Sequence, residues 1–239
     1  MARRASAVIL TVFASSALLL TACAPDPTPQ DVPRVARTYS APVATPNPTA
    51  SGANRLRVVT IGDSLMSGYG LDLGQAWPTL LANKQHVTLT NLACGGMGFV
   101  VSGDCGTPYS GLVPALAALQ PDVVIVQASS NDFGEDPDDV RAETITTVQE
   151  MREAAPAALI VGLSTIWNDE DDLPDEVAST SEDLSDAIAL VDGIFIDVGQ
   201  PLQDHPSWMQ DDDIHPTARG QQSIEETVRA KLVDDGVLR

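Results

Sequence analysis

The chain has 239 residues, room for one good-sized domain or two small ones, and 44% of them are apolar, enough for a real core. Its 13 Lys and Arg against 33 Asp and Glu give a formal net charge of −20. That charge repels phosphate backbones and anionic membrane surfaces, so it argues against nucleic acid as a partner and suits solubility in an extracellular or salty medium.

Residues 1–22 read as a signal peptide. Arg3 and Arg4 precede an apolar run from Ala7 to Leu20 that is shorter than the roughly 20 residues of a membrane-spanning helix. The run ends in Leu20-Thr21-Ala22-Cys23, which resembles a bacterial lipobox. That resemblance implies lipid on Cys23 and anchoring to the outer face of a bacterial cell membrane. Three cysteines is an odd number for an exported protein. With Cys23 carrying lipid, Cys94 and Cys105 remain, either as a disulfide closing the glycine-rich loop between them or as two thiols too far apart to bridge. Residues 23–54 are rich in Pro, Thr and Ala without a sustained apolar period. Such a segment buries too little to offset its ordering entropy and reads as an extended tether.

The pattern changes at residue 55. Leu56–Ile61, Val87–Leu92, Val123–Gln127, Leu159–Ser164 and Ile194–Val198 are nearly continuous in apolar residues and read as five buried strands. Ala76–Asn83, Leu112–Leu119, Val140–Ala154, Glu176–Leu190 and Thr217–Leu232 have helical composition. Strands alternating with helices predict one three-layer α/β/α domain over 55–239, with a five-stranded parallel sheet covered on both faces. Ligands of such sheets bind beyond the carboxyl ends of the strands. Asp63-Ser64, Ala93–Gly98, Ser129–Asp132 and Trp167-Asn168 all follow strands and fall on that one rim.

A serine nucleophile needs a base, a group that orients the base, and donors for the developing oxyanion. Ser64, in Gly62-Asp63-Ser64-Leu65, is the candidate nucleophile. Of the three histidines, His86 lies at the opposite end of the sheet, and His205 and His215 each precede proline. Only His215 has an aspartate three residues before it, Asp212, a spacing that lets a carboxylate turn back onto Nδ1 while Nε2 faces the serine.

Together these pieces resemble the SGNH or GDSL hydrolases. Ile61–Leu65 is similar to that family's first block, Asn91–Gly96 to its second, Asn131-Asp132 to its third, and Asp212–Pro216 to its fifth. The resemblance implies a flavodoxin-like fold and a serine esterase acting on carboxylic esters or thioesters through an acyl-enzyme. Ser64, His215 and Asp212 would form the triad. The oxyanion hole would comprise the Ser64 N–H, a glycine N–H (Gly96, with Gly95 or Gly98 as alternatives) and the Asn131 side-chain amide. It implies no metal or organic cofactor and a small-molecule or glycan ester as substrate. A monomer is the default expectation. An O-acyltransferase of cell-surface glycans would use the same residues, and a non-catalytic cell-wall-binding lipoprotein could keep the fold.

Two departures stand out. Ser129 occupies the position where the family's third block usually has glycine, and is expected to narrow the pocket beside the oxyanion hole. Cys94 stands beside the glycines of the second block. The segment from Gly70 to Asn83, with its Ala76-Trp77-Pro78, also resembles the thioesterase and lysophospholipase branch. Trp77 reads as a core residue, Trp167 as a rim residue, and the acidic run 168–172 as a solvated insertion.

Overall fold

The computed structural model describes residues 55–239. The expected signal peptide, Cys23 and the tether lie outside the described residues. Five parallel strands, β1 (Arg57–Ile61), β2 (Thr88–Asn91), β3 (Val123–Gln127), β4 (Leu159–Leu163) and β5 (Ile194–Ile196), form one sheet in the order β2-β1-β3-β4-β5. Six helices accompany them: α1 (Ser64–Ser67), α2 (Trp77–Gln85), α3 (Val113–Leu119), α4 (Pro137–Ala154), α5 (Asp175–Ala189) and α6 (Ala218–Asp234). This is the expected flavodoxin-like α/β/α sandwich.

Alternation along the strands explains the two layers of helices. Val58, Val123, Ile125, Val161 and Leu163 face one way and pack with Leu65, Trp77, Leu81, Ile224 and Val228 of α1, α2 and α6. Val59, Ile61, Val124, Val126 and Ile160 face the other way and pack with Leu116, Val148, Met151 and Leu184 of α3, α4 and α5. At Gly162 a Cβ would come within 2.7 Å of Ile188, so α5 approaches β4 closely only because that position is glycine.

Every expected strand and helix is present, with ends shifted by a few residues. β5 is shorter than expected because Ser164 takes over beyond Ile196: its Oγ accepts the Val198 N–H at 3.0 Å. α1 was not expected. It is one turn long, capped by the Asp63 side chain and ended by Gly68 at φ 77°. The chain crosses from β1 to β2 in one direction and from β3 to β5 in the other, so the switch point lies between β1 and β3. A cleft opens at the carboxyl ends of strands at such a point, and Ser64 and Asn131 follow these two strands.

Candidate active site

Ser64 is the first residue of α1 and is 7% exposed. Asp63 sets its turn by accepting the Leu65 N–H on Oδ1 at 2.9 Å. A one-turn helix leaves its carbonyls unpaired, and partners from distant elements satisfy them. Gln221 of α6, itself buried, donates to the Leu65 carbonyl at 2.8 Å, and Asn91 of β2 donates to that of Met66 at 3.0 Å.

The base side is a loop running into α6. Asp212 Oδ2 lies 2.6 Å from His215 Nδ1, and Oδ1 accepts the backbone N–H groups of His215 at 2.9 Å and Ile214 at 3.1 Å. The hydrogen bond from the imidazole, helped by these two N–H groups, pulls the Asp212 carboxyl down to about 2. Asp212 is therefore ionised at any ordinary pH. An ionised carboxylate only accepts, so Nδ1 carries the proton and Nε2 of the neutral ring is left as an acceptor. The Tyr69 ring packs against that of His215, tilted by 33° with centroids 4.4 Å apart, and the Tyr69 backbone N–H donates to the Ser64 carbonyl at 3.1 Å. Gln210 ties this together: Nε2 donates to the Tyr69 carbonyl at 2.8 Å, and its N–H donates to that of His215 at 2.8 Å. The structure thus joins Asp212 to His215 directly and holds the Ser64 turn against them. Among the described residues no hydrogen bond links Ser64 Oγ to His215.

The opposite side is buried. Asp132, 2% exposed, accepts the N–H groups of Phe99, Val100 and Val101 at 2.7–3.1 Å and so pins the loop after β2. Cys94 and Cys105 are bridged across the same loop, with Cα atoms 6.2 Å apart. Gly96 adopts φ 72°, the left-handed region that favours glycine. The Gly98 N–H donates to the Val101 carbonyl at 3.0 Å, so it is already committed, and a Cβ there would meet Asp132. The N–H groups of Gly95 and Gly96 have no such partner among the described residues.

Ser129 corrects the expectation that it narrows a pocket. It is 1% exposed and turns its hydroxyl inward, donating to Asp63 Oδ2 at 2.6 Å and accepting the Asn131 N–H at 3.1 Å. Burial raises the carboxyl groups of Asp63 and Asp132, with these hydrogen bonds opposing it in each. The Tyr109 phenol, buried nearby, is pushed well above its ordinary value by desolvation and then by the two carboxylates.

A small cavity of about 30 Å³ lies among Leu65, Ser130, Ile166, Trp167, Asn168 and Ile214. Three of these residues adjoin Ser64, Asn131 and His215 in the chain. Phe133 stacks on Trp167 with centroids 5.5 Å apart and backs that wall. A larger groove, about 450 Å³, runs between α5 and the end of β5 and contains none of the expected site residues. His86 is exposed at the end of α2, His205 is exposed and stacked on Trp208, and Trp77 is fully buried. Among the described residues no group of three or more His, Cys, Asp or Glu is arranged to hold a metal ion. Sequence reasoning missed Tyr69, Gln210 and Gln221, whose contacts span the chain, Tyr69 to His215, Gln210 to Tyr69 and Gln221 to Leu65. It also missed the pinning role of Asp132, although the residue sits in the third block.

A parallel α/β sheet with a serine turn, an Asp-His pair and small-residue loops at one rim defines a class of hydrolase. The chain belongs to the GDSL-like lipase/acylhydrolase family, whose sequence model matches residues 60–223. It is 27% identical over 188 residues to a GDSL lipase of Mycobacterium tuberculosis, covering 72% of this chain and 79% of that protein. It is 23% identical over 201 residues to an arylesterase of Vibrio mimicus, covering 74% and 88%. Among solved structures TesA superimposes with a TM-score of 0.58 at 22% identity, covering 74% of this chain and 97% of that one. The protein is an ester-hydrolysing enzyme.

Proposed function

We propose that the protein is a serine esterase that works through an acyl-enzyme on Ser64 and prefers short acyl groups. The observation that carries the mechanism is the 2.6 Å contact between Asp212 Oδ2 and His215 Nδ1 beside the Ser64 turn. In the first half-reaction Ser64 Oγ attacks the ester carbonyl as His215 Nε2 takes its proton. The Ser64 N–H, the Gly96 N–H and the Asn131 amide receive the oxyanion, and the alcohol leaves with the proton from Nε2. Water then gives a proton to Nε2 as it attacks the acyl-enzyme, and the acid is released as Nε2 passes that proton to the departing Ser64 Oγ. The Ser64–His215 hydrogen bond, absent here, would form when substrate arrives, since catalytic hydrogen bonds that are long in free enzymes commonly tighten in the substrate complex.

The acyl preference rests on the cavity of about 30 Å³, whose wall residues adjoin Ser64, Asn131 and His215. In this reading its small size favours an acetyl or propionyl group over a fatty chain. The resemblance to the thioesterase branch therefore does not extend to long acyl chains in this reading. A series of p-nitrophenyl esters tests it: kcat/KM should be greatest for acetate or propionate and fall by about tenfold or more by octanoate. A rate that rises with chain length would refute the preference. Adding competing alcohols to the assay and finding acylated alcohol as the main product would make the enzyme a transferase instead.

For location, we infer export and anchoring through lipid on Cys23. Cys23→Ser should release the protein from the membrane fraction or leave an unprocessed precursor. Native protein found wholly soluble without lipid would contradict this.

A further inference from the structure

Asn131 Nδ2 lies 3.0 Å from the Met97 carbonyl and 3.0 Å from Ser129 Oγ, and these two acceptors are themselves 3.0 Å apart. Three equal sides put the acceptors about 60° apart as seen from Nδ2, whereas the two N–H bonds of a primary amide diverge by about 120°. Such acceptors can be met in two ways, both on one N–H in a three-centre bond or one on each N–H, every contact in either case lying about 30° off its N–H direction. Only the three-centre arrangement leaves an N–H for an oxyanion, and the reading of Asn131 as an oxyanion donor selects it.

The direction of the Ser129 hydroxyl follows from its single proton. Asp63 Oδ2 at 2.6 Å and the Met97 carbonyl at 3.0 Å compete for it, and the nearer acceptor takes it. The lone pairs of Oγ then face Asn131, accepting its backbone N–H at 3.1 Å and sharing the bonded amide N–H. The other oxygen of Asp63 holds the Leu65 N–H and thereby the Ser64 turn. One buried carboxylate thus sets the turn directly and the Asn131 amide through Ser129.

We propose that Ser129 is a positioning residue whose hydroxyl orients the Asn131 amide so that one N–H stays free for the substrate oxyanion. The proposal rests on the reading of Asn131 as an oxyanion donor. With alanine or glycine at 129, the amide would keep only the Met97 carbonyl and could rotate toward it. Asp63 Oδ2 would lose its donor.

The test compares wild type, Ser129→Ala, Asn131→Ala and the double variant on p-nitrophenyl acetate, with folding checked by urea unfolding. Ser129→Ala should lower kcat by about tenfold or more with KM changed less than about twofold, because an oxyanion donor acts in the transition state. The double variant should be no slower than Asn131→Ala alone, since without the amide there is nothing for Ser129 to orient. If Ser129→Ala does not fold, Ser129→Gly, which removes the same hydroxyl, is read in its place. An unchanged kcat in Ser129→Ala beside an impaired Asn131→Ala would overturn the proposal and leave the oxyanion reading standing. Single effects that multiply in the double variant would also overturn it, because Ser129 would then act independently of Asn131. An Asn131→Ala enzyme with native kcat would remove the oxyanion reading and the proposal with it.

Discussion

The two halves of the site are built in opposite ways. Asn131 stands in a buried lattice in which Asp63, Ser129 and Asp132 are 5%, 1% and 2% exposed and a disulfide closes the adjoining loop. Asp212 and His215 sit on a surface loop, their side chains 41% and 15% exposed, and are held chiefly by hydrogen bonds within four residues. The contrast fits what each half must do. Donors to an oxyanion help only if they already point where charge will develop, and a buried network of hydrogen bonds keeps them there. A base must take a proton, give it up and admit water, which a locally organised, partly exposed loop allows.

Removing the nucleophile or the base should have the largest effect. Ser64→Ala and His215→Ala should each lower kcat by about 10⁴-fold or more, with the double variant little worse than either, because the two act as a unit. His205→Ala, which alters an exposed ring stacked on Trp208, should change kcat little and serves as the control. In the buried half Asn131→Ala should cost about 10²–10³-fold in kcat with a smaller change in KM, as for one oxyanion donor of several.

Breaking the Cys94–Cys105 bridge should sharpen the comparison through stability. The cysteines are 11 positions apart, and a loop of that length contributes about 2–3 kcal/mol by chain entropy. Cys94→Ser with Cys105→Ser should lower the urea unfolding free energy by that amount. An unchanged value would show that the bridge adds nothing to the pinning by Asp132.

The smallest effect belongs to the exposed carboxylate. Asp212 sits at about 2 against an ordinary 3.8. A depressed carboxylate contributes stability that is fully present above 3.8 and is lost as pH falls through about 2. The difference in urea midpoint between wild type and Asp212→Asn should therefore be constant above that window and close within it. Screening at an exposed site keeps the difference small. A gap that widened on acidification would reverse the sign of the argument.

What could be read from the sequence divides along the same line as the site. Asp212 and His215 are three residues apart, so their pairing is a local property of one loop, and a spacing argument reaches it. The strands were legible because each is an apolar run, and the shared rim followed from strands alternating with helices. The lattice around Asn131 was not legible, because its bonds join residues such as Asp63 and Ser129 that are 66 positions apart. The inward turn of the Ser129 hydroxyl was accordingly missed. Gln221 reaches Leu65 across 156 positions and leaves no pattern of its own. α1 escaped notice because one turn is too short to show a period. The small cavity is assembled from six residues of four separate segments, which no motif records.

The central claim is that the reaction passes through an ester of Ser64, and mass spectrometry of the enzyme after reaction with a fluorophosphonate tests it most directly. The account predicts one phosphonyl group on the peptide containing Ser64, loss of activity in step with labelling, and no label in Ser64→Ala. A label on another residue, or a Ser64→Ala enzyme that is still labelled and still turns over ester, would contradict it.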